Sequence, residues 1–132
     1  MSKARTLPKS AADRKTHPIA SGVLDYFPDA IAAIAHVSYK GNEQHNPGKP
    51  LHWDRSKSGD EADALMRHFV ERGTLDTDGM RHSAKVAWRA LAMLQKEIEA
   101  ELAAKPERVE FAHDGMRAVA INPNPPKLVQ GP

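Results

Sequence analysis

Four groups of side chains in this chain have the chemistry to hold a base, a phosphate or a cation. The first is His52-Trp53-Asp54-Arg55. An indole face can stack on a base, and a guanidinium fork matches the oxygens of a phosphate; Trp53 would equally serve as an apolar anchor for its loop. The second is Arg67-His68, which helical-wheel angles place off the apolar stripe of its segment, where a solvated pair is the plain alternative. The third is the acidic run Asp76-Thr77-Asp78, followed by His82. Carboxylates and imidazoles drawn from His68, Asp76, Asp78 and His82 could surround one divalent ion, which would neutralise phosphate charge or activate water. Helix capping accounts for the two aspartates equally well. The fourth is Lys85, Trp88 and Arg89, which fit either a phosphate-and-base pocket or the polar rim of a subunit contact.

Other chemistries leave no mark. There is no glycine-rich phosphate loop, no Gly-x-Ser-x-Gly elbow and no His-Glu-x-x-His zinc helix. Cysteine is absent, which excludes disulfides and thiolate chemistry and fits a reducing cytoplasm. No run of roughly 18 apolar residues exists for a membrane span, and no apolar signal core follows the charged N-terminus. The formal net charge of +2 is too small for wrapping a nucleic-acid polymer, while a pI near 9.0 permits local attraction to a small anion.

These side chains must be positioned by helices. Phe, Trp and Tyr supply only 5% of the 132 residues, so the core must come from Ala, Leu, Ile, Val and Met, a mixture that favours a mainly α chain. Residues 1–18 read as a basic flexible tail, 19–105 as one helical domain, and 106–132 as a hairpin and Pro-rich extension. A first helix is expected from Pro28, with Phe27, Ile31, Ile34 and Val37 buried and Gly41-Asn42 stopping it. Ser58 and Glu61 have capping-box spacing for a second helix over Gly59 to Arg72, whose Ala62, Leu65, Met66, Phe69 and Val70 should bury one face. The turn Asp76 to Gly79 introduces a third helix, Met80 to Ala104, with a main apolar stripe through Ala84, Ala87, Leu91, Leu94, Ile98 and Leu102. Val86, Ala90 and Met93 form a second stripe, so this helix is either central in the bundle or packed on another subunit. Val109, Phe111, Val119 and Ile121 around His113-Asp114-Gly115 have the pattern of a β-hairpin. The expected fold is thus a compact three-to-four-helix bundle with a short C-terminal β-hairpin and flexible termini.

The run Tyr26-Phe27-Pro28-Asp29-Ala30, then Trp53, Leu65-Met66-Arg67-His68, Asp76 through Gly79, His82 and Ala87-Trp88 resembles the phage and prophage domain catalogued as dATP/dGTP diphosphohydrolase, N-terminal, over about Ile19 to Glu101. The resemblance implies hydrolysis of purine deoxynucleotides with a divalent metal (Mg, Mn or Co), in the cytoplasm of a bacterial host. Resemblance and clustering together cast His68, Asp76, Asp78 and His82 as metal ligands, with His68, His82 and Asp78 as catalytic groups. His52, Trp53, Arg55, Arg67, Lys85, Trp88 and Arg89 would contact the nucleotide, in a homo-oligomer with no membrane or polymer partner. Two other readings stand beside this one. A non-catalytic phage protein could sequester a nucleotide or nucleotide-derived immune signal, as an anti-defence device. Alternatively, an assembly protein could use the same polar cluster only to cap helices and order subunit contacts.

Overall fold

The protein is described here from a computed structural model covering residues 6–57 and 59–104. Helix α1 is a single turn, Ala11–Arg14, whose N-terminus is closed by Ser10 Oγ accepting from the Asp13 amide at 3.1 Å. This turn lies within the stretch expected to be a featureless tail, because one Ser cap and two alanines suffice for one turn. A π-turn follows at Ala20–Leu24. Helix α2 spans Pro28–His45, with proline at its first position and Asp29 in its first turn, as their fixed φ and negative charge favour. A 3₁₀ turn at Arg55–Lys57 precedes helices α3, Glu61–Val70, and α4, His82–Ala104. Among the described residues all regular elements are helical, apart from one antiparallel bridge between Leu75 and Arg81. The expected β-hairpin and the C-terminal extension lie outside the described residues, as does the cap residue Ser58.

The chain divides into two compact units, 1–94 and 95–132. Every candidate site residue belongs to the first. In the second, the described part is the end of α4, where Gln95 Nε2 donates to Glu99 at 2.9 Å, one helical turn on.

Two expectations are corrected. Helix α2 does not stop at Gly41-Asn42. The Asn42 side chain, which in a free helix competes with the backbone, is occupied by the following loop: its amide donates to Lys49 O at 3.0 Å and its carbonyl accepts from the His52 amide at 3.2 Å. The helix continues through it to His45.

The second correction concerns the apolar stripes. On α3 the buried or half-buried positions are Glu61, Ala64, Leu65 and His68, whereas Ala62, Met66, Phe69 and Val70 are exposed. On α4, Ala84 of the expected core stripe is buried and Ala87 and Leu102 are half-buried, but Leu91, Leu94 and Ile98 are exposed, while His82 and Ala92, outside that stripe, are buried. Successive positions 100° apart put each helix's polar stripe opposite its apolar one, and the polar stripes carry the site. The apolar side chains buried among the described residues are Ala64, Met80, Ala84 and Ala92, so polar and aromatic contacts, rather than a large aliphatic core, connect the elements.

Candidate functional site

The connector between α3 and α4 is a tight loop, and its backbone explains where the carboxylates go. The Asp76 amide donates to Met80 O at 2.7 Å, and the His82 amide donates to Thr74 O at 3.1 Å. Gly79 closes the turn at φ +81°, a left-handed conformation that other residues adopt only with strain. Asp78 Oδ1 accepts from the Met80 amide at 3.0 Å and Asp76 Oδ1 from the Thr77 amide at 2.6 Å. The second oxygen of each is thereby turned toward Lys85, one helical turn into α4. Lys85 Nζ donates to Asp76 Oδ2 at 2.6 Å and to Asp78 Oδ2 at 2.8 Å.

These charge-assisted bonds set the protonation states. The Lys85 hydrogen bond, followed by the Thr77 amide, holds Asp76 down at about 2. Asp78 is lowered by the same ammonium and by the Met80 amide. Burial works against the charge on Lys85, but its bonds to the two aspartates outweigh burial and its pKa is raised.

Beside this triad, His68 of α3 meets His82 of α4, Nδ1 to Nδ1 at 2.9 Å. Only one of these nitrogens can carry the shared proton, so the other must accept. Burial first, then the neighbouring His82 and Lys85 charges, lowers the pKa of His68, which favours its neutral form. His82 Nε2 lies 3.0 Å from Glu71 Oε1 at the end of α3, an imidazole–carboxylate pair that fixes the ring. One donor atom each from His68, Asp76 and His82 lies within 4.8 Å of the others. Two imidazoles and a carboxylate are a competent cation-binding set, of the mixed N/O type that suits Mn or Co better than Mg with its preference for oxygen.

The group stands at the edge of a cavity of about 790 Å³. Trp88 forms part of the wall and is fixed on two sides. Its Nε1 donates to Ser38 Oγ of α2 at 2.7 Å, and Trp53 packs against it edge to face with centroids 5.6 Å apart. The Arg89 guanidinium lies 5.7 Å from the Trp88 centroid, and that of Arg55 lies 4.1 Å above the Trp53 ring. Neither Trp is a loose surface ring.

The structure therefore brings His52, Trp53, His68, Asp76, Asp78, Lys85, Trp88 and Arg89 to one cavity, with buried His82 bonded to its His68 wall. Arg55 does not line the cavity and stacks on Trp53, which does. Asp78 is held by Lys85 and stands outside the His68–Asp76–His82 group. Arg67 is not at the cavity. It is exposed and pairs with Asp60 at 3.3 Å, since neighbours on a helix point about 100° apart and His68 takes the inward direction.

Sequence reasoning placed a helix from Pro28 but gave it no part in the site. Ser38, Gly41, Asn42 and His45 line the same cavity; their spacing of three, four and seven residues was a legible helical face of small and polar groups. Glu71 was also missed, since its partner is set by the fold rather than by spacing.

Fold and site together define a mainly helical protein with a polar cavity, walled by tryptophan and basic side chains, that contains a two-histidine, one-aspartate group. The chain belongs to the family described as dATP/dGTP diphosphohydrolase, N-terminal, which matches residues 8–105. No curated protein and no solved structure matches it. No helix among the described residues is long and apolar enough to cross a membrane.

Proposed function

We propose that the protein is a cytoplasmic, phage-type nucleotide phosphohydrolase that cleaves a phosphoanhydride bond of a purine deoxynucleotide with a divalent cation, working as a homo-oligomer. The observation that carries this reading is the convergence of the His68–Asp76–His82 group with Trp88 and Arg89 on one cavity large enough for a nucleotide. Family membership supports the same class of substrate.

His68, Asp76 and His82 would hold the cation, which when bound supplies a Lewis acid for phosphate oxygens. The protein's own groups then have distinct tasks. The fixed face of Trp88 orients the base, and Arg89 supplies the fork for phosphate. Lys85 delivers positive charge beside the carboxylates, where it can move onto a phosphate oxygen. His68, favoured in its neutral form, would offer its lone pair to the cation, and Glu71 keeps the His82 ring in one orientation. The bond broken is an anhydride P–O, and water adds OH to phosphorus and a proton to the departing phosphate.

The test is purified protein with Mn, Co or Mg and a panel of deoxynucleotides. Expected is phosphate or pyrophosphate release from dATP or dGTP, reduced about 10²–10⁴-fold in His68→Ala and His82→Ala. Recovery of intact nucleotide from a stable complex would replace hydrolysis by sequestration. Silence toward every nucleotide, in both turnover and calorimetry, would remove the reading.

A further inference from the structure

Three groups stand in a row where the end of α3 meets the start of α4. Glu71 Oε1 lies 3.0 Å from His82 Nε2, and His82 Nδ1 lies 2.9 Å from His68 Nδ1. His82 is only 6% exposed, and these two contacts account for both of its ring nitrogens. Glu71 caps the C-terminal end of α3 one turn after His68, so a single helix end supplies both partners of the buried ring.

The order of protons along this row follows from what each group can do. A carboxylate only accepts, so the proton between Glu71 and His82 sits on His82 Nε2. A neutral imidazole has one N–H and one lone pair, so His82 Nδ1 then accepts. The proton between the two rings therefore belongs to His68 Nδ1, and the lone pair of His68 falls on Nε2, a nitrogen with no protein hydrogen bond among the described residues. The reverse order would set the His82 Nε2 lone pair against a carboxylate oxygen 3.0 Å away, two acceptors facing each other with no proton between them.

We propose that Glu71 is a positioning residue that acts through His82 to fix the tautomer of His68, so that His68 presents Nε2 rather than Nδ1 as its lone pair. The proton order stands on these contacts alone, while its use in holding a cation rests on the function proposed above. In that use Glu71 touches neither ligand nor cation, and selects which nitrogen of a ring two contacts away is able to bind.

The test is NMR of the ring nitrogens in isotopically labelled, metal-free, full-length protein at about pH 8, above the ordinary imidazole pKa of about 6.5. The two residues are assigned through the signals lost in His68→Asn and His82→Asn. Expected are opposite tautomers, His68 protonated at Nδ1 and His82 at Nε2. In Glu71→Ala, with helices intact by circular dichroism, the two proton orders become comparable, and the His68 nitrogens should shift toward each other as the ring exchanges between forms. A wild-type spectrum with His68 protonated at Nε2 overturns the proposal without recourse to any variant. So does a Glu71→Ala spectrum in which His68 keeps the wild-type pattern. Calorimetry with Mn tests the use: Glu71→Ala should bind about 10–100-fold more weakly, and equal affinity would overturn the positioning role. Wild-type protein that shows the expected tautomers but binds no Mn, Co or Mg would bear out the proton order and remove the cation-binding reading instead.

Discussion

Lys85 is the side chain on which the charge balance of the cavity turns, because one ammonium serves two carboxylates at 2.6 and 2.8 Å. Lys85→Met leaves both acids without that partner. The expected outcome is a loss of about 1–3 kcal/mol in urea unfolding, the cost of stranding partly buried charges, together with tighter Mn binding by calorimetry as Asp76 is released. Acid stability has a defined sign. His68 has a folded pKa below the unfolded value of 6.5, so the unfolded chain takes up a proton that the folded chain resists. Stability should therefore fall as pH drops below 6.5 and be unaffected by this group above it. Asp76 adds a second decline as pH falls from 3.8 toward its folded value of about 2. Thermal melts across this range check both, and His68→Asn should flatten the first decline. Gly41 lines the cavity, and a β-carbon there would meet nothing within 4 Å. Gly41→Ala should stabilise α2 by about 0.5–1 kcal/mol, whereas Gly41→Leu should keep the fold by circular dichroism and weaken nucleotide binding about tenfold or more by occupying ligand space.

Among the elements, α2 has a role that its amphipathic pattern conceals. It bears one wall of the cavity, and through Asn42 it pins the loop that delivers Trp53. Asn42 is buried and fully used: it donates to Lys49 O, and its carbonyl oxygen accepts from the His52 and Asn46 nitrogens. Asn42→Ala should cost about 1–3 kcal/mol, because buried backbone groups lose their partners. Hydrogen exchange at the His52 amide should accelerate while amides of α4 keep their protection, since the damage is local to the loop. Equal acceleration throughout the chain would show that Asn42 supports the fold as a whole rather than the loop. Helix α3 is held differently. Its His68 pairs with His82 of α4 and also lines the cavity, so that face doubles as a wall of the site.

At the scale of the whole molecule, stability and assembly are one quantity if the protein works as the proposed homo-oligomer. Unfolding then includes dissociation, and the midpoint depends on protein concentration. Diluting the full-length protein about tenfold should lower the melting temperature by a few degrees. A melting temperature independent of concentration in the wild type would point to a self-sufficient single chain.

Local rules made much of the protein readable. Pro28 and Asp29 marked the start of α2, the breaks around residues 73–79 marked the α3–α4 connector, and His68, Asp76, His82 and Trp88 stood at helical and turn spacings that could converge. Such features depend on interactions within one or two turns, which the order of residues specifies directly. The full length of α2 and the roles of Ser38, Asn42 and Glu71 depend on partners up to 50 positions away, and spacing alone does not reveal those. Neither does it reveal which stripe faces inward. Periodicity shows that α3 has an apolar and a polar side, but both patterns are equally helical. Only the tertiary arrangement decides that the histidine side looks into the molecule, because spacing on a helix records which side chains share a face and not what that face will meet.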